Sequence, residues 1–421
     1  MNKNMKEKDF SNVIVSLDVG TTKICTIVAQ VREDGRLNIL GVGKSPSTGL
    51  SRGMVVNPGK TIESIKASLK EAELKSDYEI KSVTVGIAGP HIRCIQSEGI
   101  VAISHPDRII AEEDIDRLYE SARSVTLSKD ERIIDVIPQE FIIDGKDGIY
   151  DLPLGMFGLR MEAKVNILTG LVSQIDDLSN CVQTAGVEID DLVLEPLASS
   201  YAVLNESEKK VGVAMVDIGG GTTDIAVFKK GVIKHTAGIG IAGSQVTNDI
   251  SETLGIEEKE AERVKKEYGY ALMSEIINDD MVVIQGIKGR KPLKLNKSII
   301  SRIIQARMEE LFVLAAQEIK RSGINHLPAG VVITGGGSLL KGTKELAEQV
   351  LGTEVNLGIP TEIGGGLIKE VESPIYATGI GLVLHRMKYF DQLKMTTRSK
   401  GRRKTGFKNI LVRVKQWFDE L

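Results

Sequence analysis

Two stretches of this chain bring together residue types that can hold phosphates and a metal ion. Val13 to Val28 reads VIVSLDVGTTKICTIV, and Val213 to Phe228 reads VAMVDIGGGTTDIAVF. Each is an apolar β-rich run, then Asp-x-Gly, Thr-Thr and a second β-rich run. That pattern predicts a hairpin with an acid, glycines and hydroxyls at its turn. Gly20, Gly219, Gly220 and Gly221 let backbone amides approach an anion closely, and consecutive N–H groups make a concave anion site. Thr21, Thr22, Thr222 and Thr223 add hydroxyl donors. Lys23 adds a cation on one side only, because Asp224 follows the second Thr-Thr. Asp18 and Asp217 end the first strand of each hairpin, where a carboxylate could hold a hydrated divalent cation bridging phosphates. A single Asp-x-Gly is an ordinary turn. Two copies predict a duplicated α/β protein whose halves grip a nucleoside triphosphate from both sides.

Other segments supply what such a clamp needs around it. Val331 to Gly342, VVITGGGSLLKG, predicts a buried strand, the glycines Gly335, Gly336 and Gly337, then Ser338 capping a helix. That corner suits a nucleoside or an α-phosphate at a helix N-terminus, although many α/β loops look alike. Glu262 and Lys265 lie three apart in the helical stretch Ala261 to Gly269, where they also read as a solvated ion pair. Glu195-Pro196 opens EPLASSYAVL, a helix with proline in its first turn. Tyr376 to Leu384, YATGIGLVL, is rich in small residues and suits tight helix packing. These two helices are expected to cross at the hinge between the halves. No His or Cys is expected near these motifs as a candidate base or nucleophile, so nothing here predicts fast chemistry.

The chain has 421 residues, 42% hydrophobic and 26% charged, which suits two or three domains or subdomains and excludes wholesale disorder. No apolar run approaches the roughly 18 residues of a membrane-spanning helix. The polar start MNKNMKEKDF predicts no secretory signal. Cys25, Cys94 and Cys181 are far apart, which argues against structural zinc or a disulfide framework and fits a reducing cytoplasm. The net charge is −3, yet Gln392 to Leu421 holds nine Lys/Arg against two acids. An acidic body with a basic tail excludes a protein that coats nucleic acid, and gives the tail its own anionic partner.

That tail carries the strongest helical period in the chain. In TGFKNILVRVKQWFDEL, the residues Phe407, Ile410, Leu411, Val414, Trp417, Phe418 and Leu421 fall on one face. Lys408, Arg413 and Lys415 lie elsewhere. Lys394 to Lys404, KMTTRSKGRRK, reads as a disordered basic linker. A basic amphipathic helix with aromatics on its apolar face suits the headgroup boundary of an anionic membrane, with a protein groove as the other option.

SLDVGTTK, VDIGGGTTD, EPLASS, TGGGSLL and YATGIGLV resemble, in order, the phosphate-1, phosphate-2, connect-1, adenosine and connect-2 motifs of the actin, heat-shock chaperone and sugar-kinase superfamily. Within it, SVTVGIAGPHIRC, VIPQEFIIDGKDGIYDLPLGMFG, LRMEAKVNILTG and the amphipathic tail resemble the FtsA family of bacterial cell-division proteins. The resemblance implies an α/β, actin-like fold of duplicated, ribonuclease H-like domains around a nucleotide cleft. Subdomain 1A would be 11–85 and 166–200, and the family's own 1C, used in self-association, 86–165. Subdomain 2A would be 201–232 and 312–390, and 2B 233–311. A basic linker, 391–404, and a membrane-targeting helix, 405–421, would follow.

The resemblance also implies ATP and Mg as cofactors. Asp18, Gly20, Thr21, Thr22 and Lys23 match phosphate-1, and Asp217, Gly219, Gly220, Gly221, Thr222 and Thr223 match phosphate-2. Gly335, Gly336, Gly337 and Ser338 match the adenosine loop, and Glu262 and Lys265 a ribose-contacting pair. Glu195 stands where relatives orient the attacking water, with hydrolysis weak or disputed. IAGSQVTNDI has Ala242 where the motif usually has its first glycine, while Gly243 keeps the second. Implied partners are the chain itself, anionic lipid, other division proteins and the C-terminal peptide of FtsZ on 2B. There KGRKPLKLNK, without an acid, suits an acidic peptide at Arg290, Lys291 and Asn296. The implied location is the cytoplasmic side of the cell membrane at the division septum. A pilus-assembly or MreB-like scaffold, or a small-molecule kinase of the same fold, is the alternative. A kinase would have no use for the tail.

Overall fold

The computed structural model describes residues 12–287 and 291–399. The strands at its centre are unbroken apolar runs because both sheet faces are covered. Val13–Val19, Ser82–Ile87 and Val213–Ile218 are buried along almost their whole length. In the first sheet, Val13–Val19, Lys23–Val31 and Leu37–Pro46 form an antiparallel meander, and Ser82–Ile87 and Glu188–Leu194 extend it in parallel. In the second, Val213–Ile218, Thr223–Lys229 and Val232–Ile239 form the meander, and Val331–Thr334 and Val355–Leu357 add in parallel. The order is the same, so the duplication seen in the two hairpins extends to five strands in each half. Helices cover these sheets at glycine contacts. Pro58–Ser76, whose first turn donates from the Lys60 N–H to the Asn57 side chain at 3.1 Å, rests on Leu37–Pro46. A Cβ added at Gly43 would stand 1.9 Å from the Ser68 carbonyl oxygen.

Two further modules complete the chain. Between Ser82–Ile87 and Glu188–Leu194, a sheet in the order Arg93–Ala102, Arg160–Leu171, Glu131–Ile143, Lys146–Ile149 packs on the helix Glu112–Arg123. Its own core includes Leu118, Phe141, Met161 and Ile167. It also reaches the second half, where the buried Asn166 amide donates to the Ile233 carbonyl at 3.2 Å. In the second half, the helices Gly243–Leu254, Glu258–Tyr268 and Lys297–Arg321 and the hairpin Met281–Ile284/Leu293–Asn296 form the other module.

Secondary structure spans some of the expected boundaries. The strand Arg160–Leu171 crosses 165, with a shift in register at Lys164/Val165, and the helix Lys297–Arg321 crosses 311. Ile363–Gly366 pairs in parallel with Leu37–Pro46, so the segment 312–390 does not stay with the second half. The reason is continuity of pairing: a ladder ends where its partner ends, not where a module begins. The helix Ala377–Ser399 continues into Lys394 to Lys404, expected as disordered, correcting that reading for its first six residues.

The hinge helices cross as expected. Glu195–Val203 meets Ala377–Ser399 where a Cβ at Gly381 would stand only 1.9 Å from the Ala198 carbonyl oxygen. Backbone has no room to yield there, so Gly381→Val should cost about 3 kcal/mol or more in urea unfolding. A neutral result would mean the helices can separate without loss.

Candidate functional site

The two hairpin turns are equal in length and closed by the same hydrogen bond. Gly20 N–H donates to the Lys23 carbonyl at 3.1 Å, and Gly219 N–H to the Thr222 carbonyl at 2.9 Å. Strand register pairs Asp18 with Cys25 and Asp217 with Asp224. Lys23 therefore corresponds to Thr222, and Asp224 to Cys25, which corrects the sequence pairing of Lys23 with Asp224. The Thr-Thr letters are offset by two because the second turn spends two more positions on glycine. The turns then face each other closely. A Cβ at Gly220 would lie 2.4 Å from Thr22 Cγ2, and one at Gly221 2.3 Å from Thr21 Oγ1.

Buried carboxylates line this part of the cleft. Lys23 Nζ pairs with Asp18 at 3.2 Å and donates to the Ile375 carbonyl at 2.9 Å. Burial works against the Lys23 ammonium, yet Asp18 holds its pKa above the ordinary lysine value. Asp217 Oδ2 accepts from Ser199 Oγ at 2.7 Å and from Thr378 Oγ1 at 3.4 Å, one hydroxyl from each hinge helix. Burial, then the Asp18 charge, pushes the Asp217 carboxyl up to about 6. Burial and the neighbouring Asp217 push Asp224 up to about 7. Burial, then Asp18, Asp224 and Asp217, carries Glu195 well above the usual carboxylate range. A Cβ at Gly86 would stand 2.9 Å from Glu195 Cγ, so glycine there makes room for this side chain.

This crowding of acids fits a divalent cation, which would relieve their mutual repulsion. Among the described residues no three His, Cys, Asp or Glu side chains form a direct metal cage. The residues therefore fit a hydrated magnesium ion held at Asp18 and Asp217 and completed by ligand phosphates.

Another part of the cleft wall is glycine-rich. Gly335 has φ +79°, and a Cβ on it would lie 2.3 Å from Asp217 Oδ1, so the loop needs glycine twice over. Ser338 does not cap an α-helix. It lies in the 3₁₀ turn Gly336–Leu339, its Oγ donates to the Gly335 carbonyl at 2.7 Å, and the helix Thr343–Leu351 starts only after Gly342. Glu262 and Lys265 pair at 2.6 Å, and Lys265 Nζ also donates to the Gly243 carbonyl at 2.8 Å. Burial raises the Glu262 carboxyl, but Lys265 outweighs it and holds it at about 2. The pair thus belongs to the cleft wall. Gly243 N–H donates to the Gly219 carbonyl at 3.1 Å, tying that helix start to the second turn. Ala242 has φ −160°, extended backbone that any residue adopts, which is why its glycine is dispensable.

Of the residues expected from the sequence to hold nucleotide and metal, all except Thr223 and Ser338 line one cleft of about 650 Å³. Thr223 is buried behind the turn, where its Oγ1 donates to the Ile241 carbonyl at 2.7 Å. Sequence reasoning missed Asp224, Ser199, Thr378 and Ser244, and Ser199 was visible in EPLASS only as a small residue. The expectation of no nearby His or Cys is also corrected. His91 lines the cleft. Cys25 lies opposite Asp18, but burial pushes its thiol up to about 11, so it stays protonated and inert.

Of the expected peptide and membrane residues, Lys291 and Asn296 do not line this cleft. Arg290 and the tail positions Phe407, Ile410, Leu411, Val414, Trp417, Phe418 and Leu421 lie outside the described residues. Lys291 precedes the strand Leu293–Asn296. Asn296 Nδ2 donates to Asp279 Oδ2 at 3.2 Å, and Lys297 pairs with Asp280 at 2.9 Å. The patch that reads as acid-free in sequence therefore has two acids folded against it.

Comparisons with known proteins agree with this architecture. A family model described as cell division protein FtsA matches residues 214–381, and one described as the SHS2 domain inserted in FtsA matches 89–169. The cell division protein FtsA of Pseudomonas aeruginosa is 41% identical over 408 residues, 96% of this chain and 97% of that protein. That of Escherichia coli is 37% identical over 379 residues, covering 88% and 89%. Among solved structures, the PilM-PilN type IV pilus biogenesis complex aligns with a TM-score of 0.65 at 17% identity, covering 89% of this chain and 98% of that one. MreB5 of Spiroplasma citri bound to ADP aligns at 0.53 and 15% identity, covering 93% and 99%. Those two likenesses show an actin-like fold, while identity across nearly the whole length decides among its scaffolds. The chain belongs to the FtsA family of cell division proteins, with an SHS2 module inserted into its first half.

Proposed function

We propose that this chain binds Mg-ATP between its two halves, self-associates on the cytoplasmic face of the cell membrane, and tethers FtsZ filaments there at the division septum. The observation that carries the nucleotide part is the pair of facing turns backed by buried, mutually repelling carboxylates. Gly20 and Gly219 to Gly221 offer backbone donors to the phosphates. Asp18 and Asp217 hold a hydrated magnesium ion, whose role is to neutralise charge on the phosphate chain. Gly335 to Gly337, with Glu262 and Lys265, receive the nucleoside. Glu195 orients water for at most slow hydrolysis. The solved MreB5 proteins bound to ADP and to AMPPNP lend support through a shared fold. Isothermal titration of the full chain with Mg-ATP tests the reading, and absence of heat at tens of micromolar protein would overturn it.

The inserted module is the proposed self-association surface, because Leu152, Phe157 and Leu159 stand at least half exposed on it. The tail supplies the lipid contact, and other division proteins join at the same site. The FtsZ peptide is placed on the hairpin carrying Lys291. Asp279 and Asp280 already answer Asn296 and Lys297, so the peptide contact is proposed at Arg290 and Lys291. Arg290→Glu with Lys291→Glu should weaken an FtsZ C-terminal peptide about tenfold in fluorescence anisotropy at low salt. Equal binding by wild type and variant would remove the patch.

A further inference from the structure

His91 is an unexplained polar group on the cleft wall, with two orphaned atoms where Gln174 has one. Both of its ring nitrogens are buried, and neither has a hydrogen-bond partner among the described residues. Buried polar atoms are nearly always satisfied, so two on one ring point to a partner that the chain itself does not supply. Burial alone lowers the imidazole pKa below its ordinary value. The ring is therefore neutral near pH 7, with one nitrogen to donate and one to accept.

Its position says which end of a ligand it would meet. His91 lies in the turn closed by Ile92 N–H donating to the Gly89 carbonyl at 3.1 Å. Gly89 has φ +133°, and a Cβ there would lie 2.9 Å from His91 Nδ1, so glycine allows the ring to fold back. A Cβ at Gly238 would be 3.1 Å from both Asp224 Oδ1 and the Gly89 carbonyl oxygen. One at Gly53 would be 3.4 Å from both Gly89 Cα and Thr222 Cγ2. The turn is thus wedged beside Asp224 and Thr222, among the buried acids of the cleft. It is also the entry to the insert, whose first strand begins at Arg93 and whose family model begins at residue 89.

We propose that His91 contacts the distal end of the bound nucleotide's phosphate chain and passes that contact to the inserted module. This rests on the nucleotide reading above. A ligand oxygen or its bound water satisfies the imidazole, and a nucleoside diphosphate leaves it unsatisfied. The turn Gly89–Ile92 then sits differently in the two states, and the strand it leads into follows.

The test is isothermal titration of the full chain with Mg-ATP and Mg-ADP, for wild type, His91→Phe and His91→Gln. Wild type should prefer ATP. His91→Phe should lose about tenfold in ATP affinity with ADP unchanged, the size of one lost hydrogen bond to a charged group. His91→Gln should recover most of that loss. If His91→Phe does not fold, His91→Ala replaces it. Amide hydrogen exchange across Arg93–Ala102 should differ between the ATP and ADP states in wild type and not in His91→Phe. If wild type binds neither nucleotide, the proposed function itself fails. If wild type binds both and the phenylalanine variant keeps the same ATP-to-ADP ratio, or loses both equally, the His91 contact alone is overturned. If the ratio changes while exchange does not, the link to the insert is overturned.

Discussion

Asp217→Asn is expected to abolish measurable Mg-ATP binding while raising the melting temperature of the ligand-free chain. The two effects have one cause. Asp217 is buried beside Asp18 and Asp224, and its pKa is pushed up to about 6. A carboxylate raised from the ordinary value near 4 binds its proton more tightly when folded than unfolded. Its contribution to stability is therefore full below about pH 4 and lost as pH rises through about 6. At pH 7.5 the ionised side chain is a burden on the ligand-free protein, of order 1–3 kcal/mol. Asparagine keeps the shape and the acceptor for Ser199 and removes the charge, so the burden goes. The same charge is what would hold magnesium, so binding goes with it. Asp224, at about 7, extends the window upward. Wild-type affinity for Mg-ATP should accordingly rise between about pH 5.5 and 7.5, with proton release that titration in two buffers of different ionisation heat would detect. Wild-type affinity in the variant would sink the clamp, and a lowered melting temperature would sink the repulsion argument.

Trp417→Glu with Phe418→Glu is expected to abolish association with anionic vesicles and leave Mg-ATP binding intact. Trp417 is the chain's single tryptophan and, in the helix proposed for the tail, would share an apolar face with Phe418. Indoles favour the membrane–water interface, and burying each large aromatic contributes about 2 kcal/mol. Replacing both by acids removes that gain and adds repulsion from anionic lipid, which together exceed the margin of a single amphipathic helix. In wild type the emission should shift blue with anionic vesicles and less with neutral ones. About 0.5 M salt should weaken the shift without erasing it, since screening acts on the basic residues and not on apolar burial. Emission already blue without lipid, and unchanged by it, would mean that the helix docks on its own body.

What this sequence determined by itself was everything local. Turn chemistry places both hairpins, because glycine and Asp-x-Gly act within a few residues. Small residues in EPLASS and YATGIGLV mark the helices that must approach, and a seven-residue apolar face marks the tail. The order of these segments, together with the insert, was enough for the family. Only the tertiary structure decided which groups meet. Ser199 and Thr378 stand 179 residues apart, yet their hydroxyls lie 3.0 Å from each other over Asp217. Ile363–Gly366 crosses back to Leu37–Pro46, and equal turn lengths, not matching letters, pair Lys23 with Thr222. Asp279 and Asp280 come to rest on a patch that looks acid-free when read in line. His91, one letter in GPHIRC, becomes a cleft residue only because the insert's entry turn lies against Asp224. Charge state and hydrogen-bond satisfaction depend on burial and on neighbours from distant elements, and no window along the chain contains either.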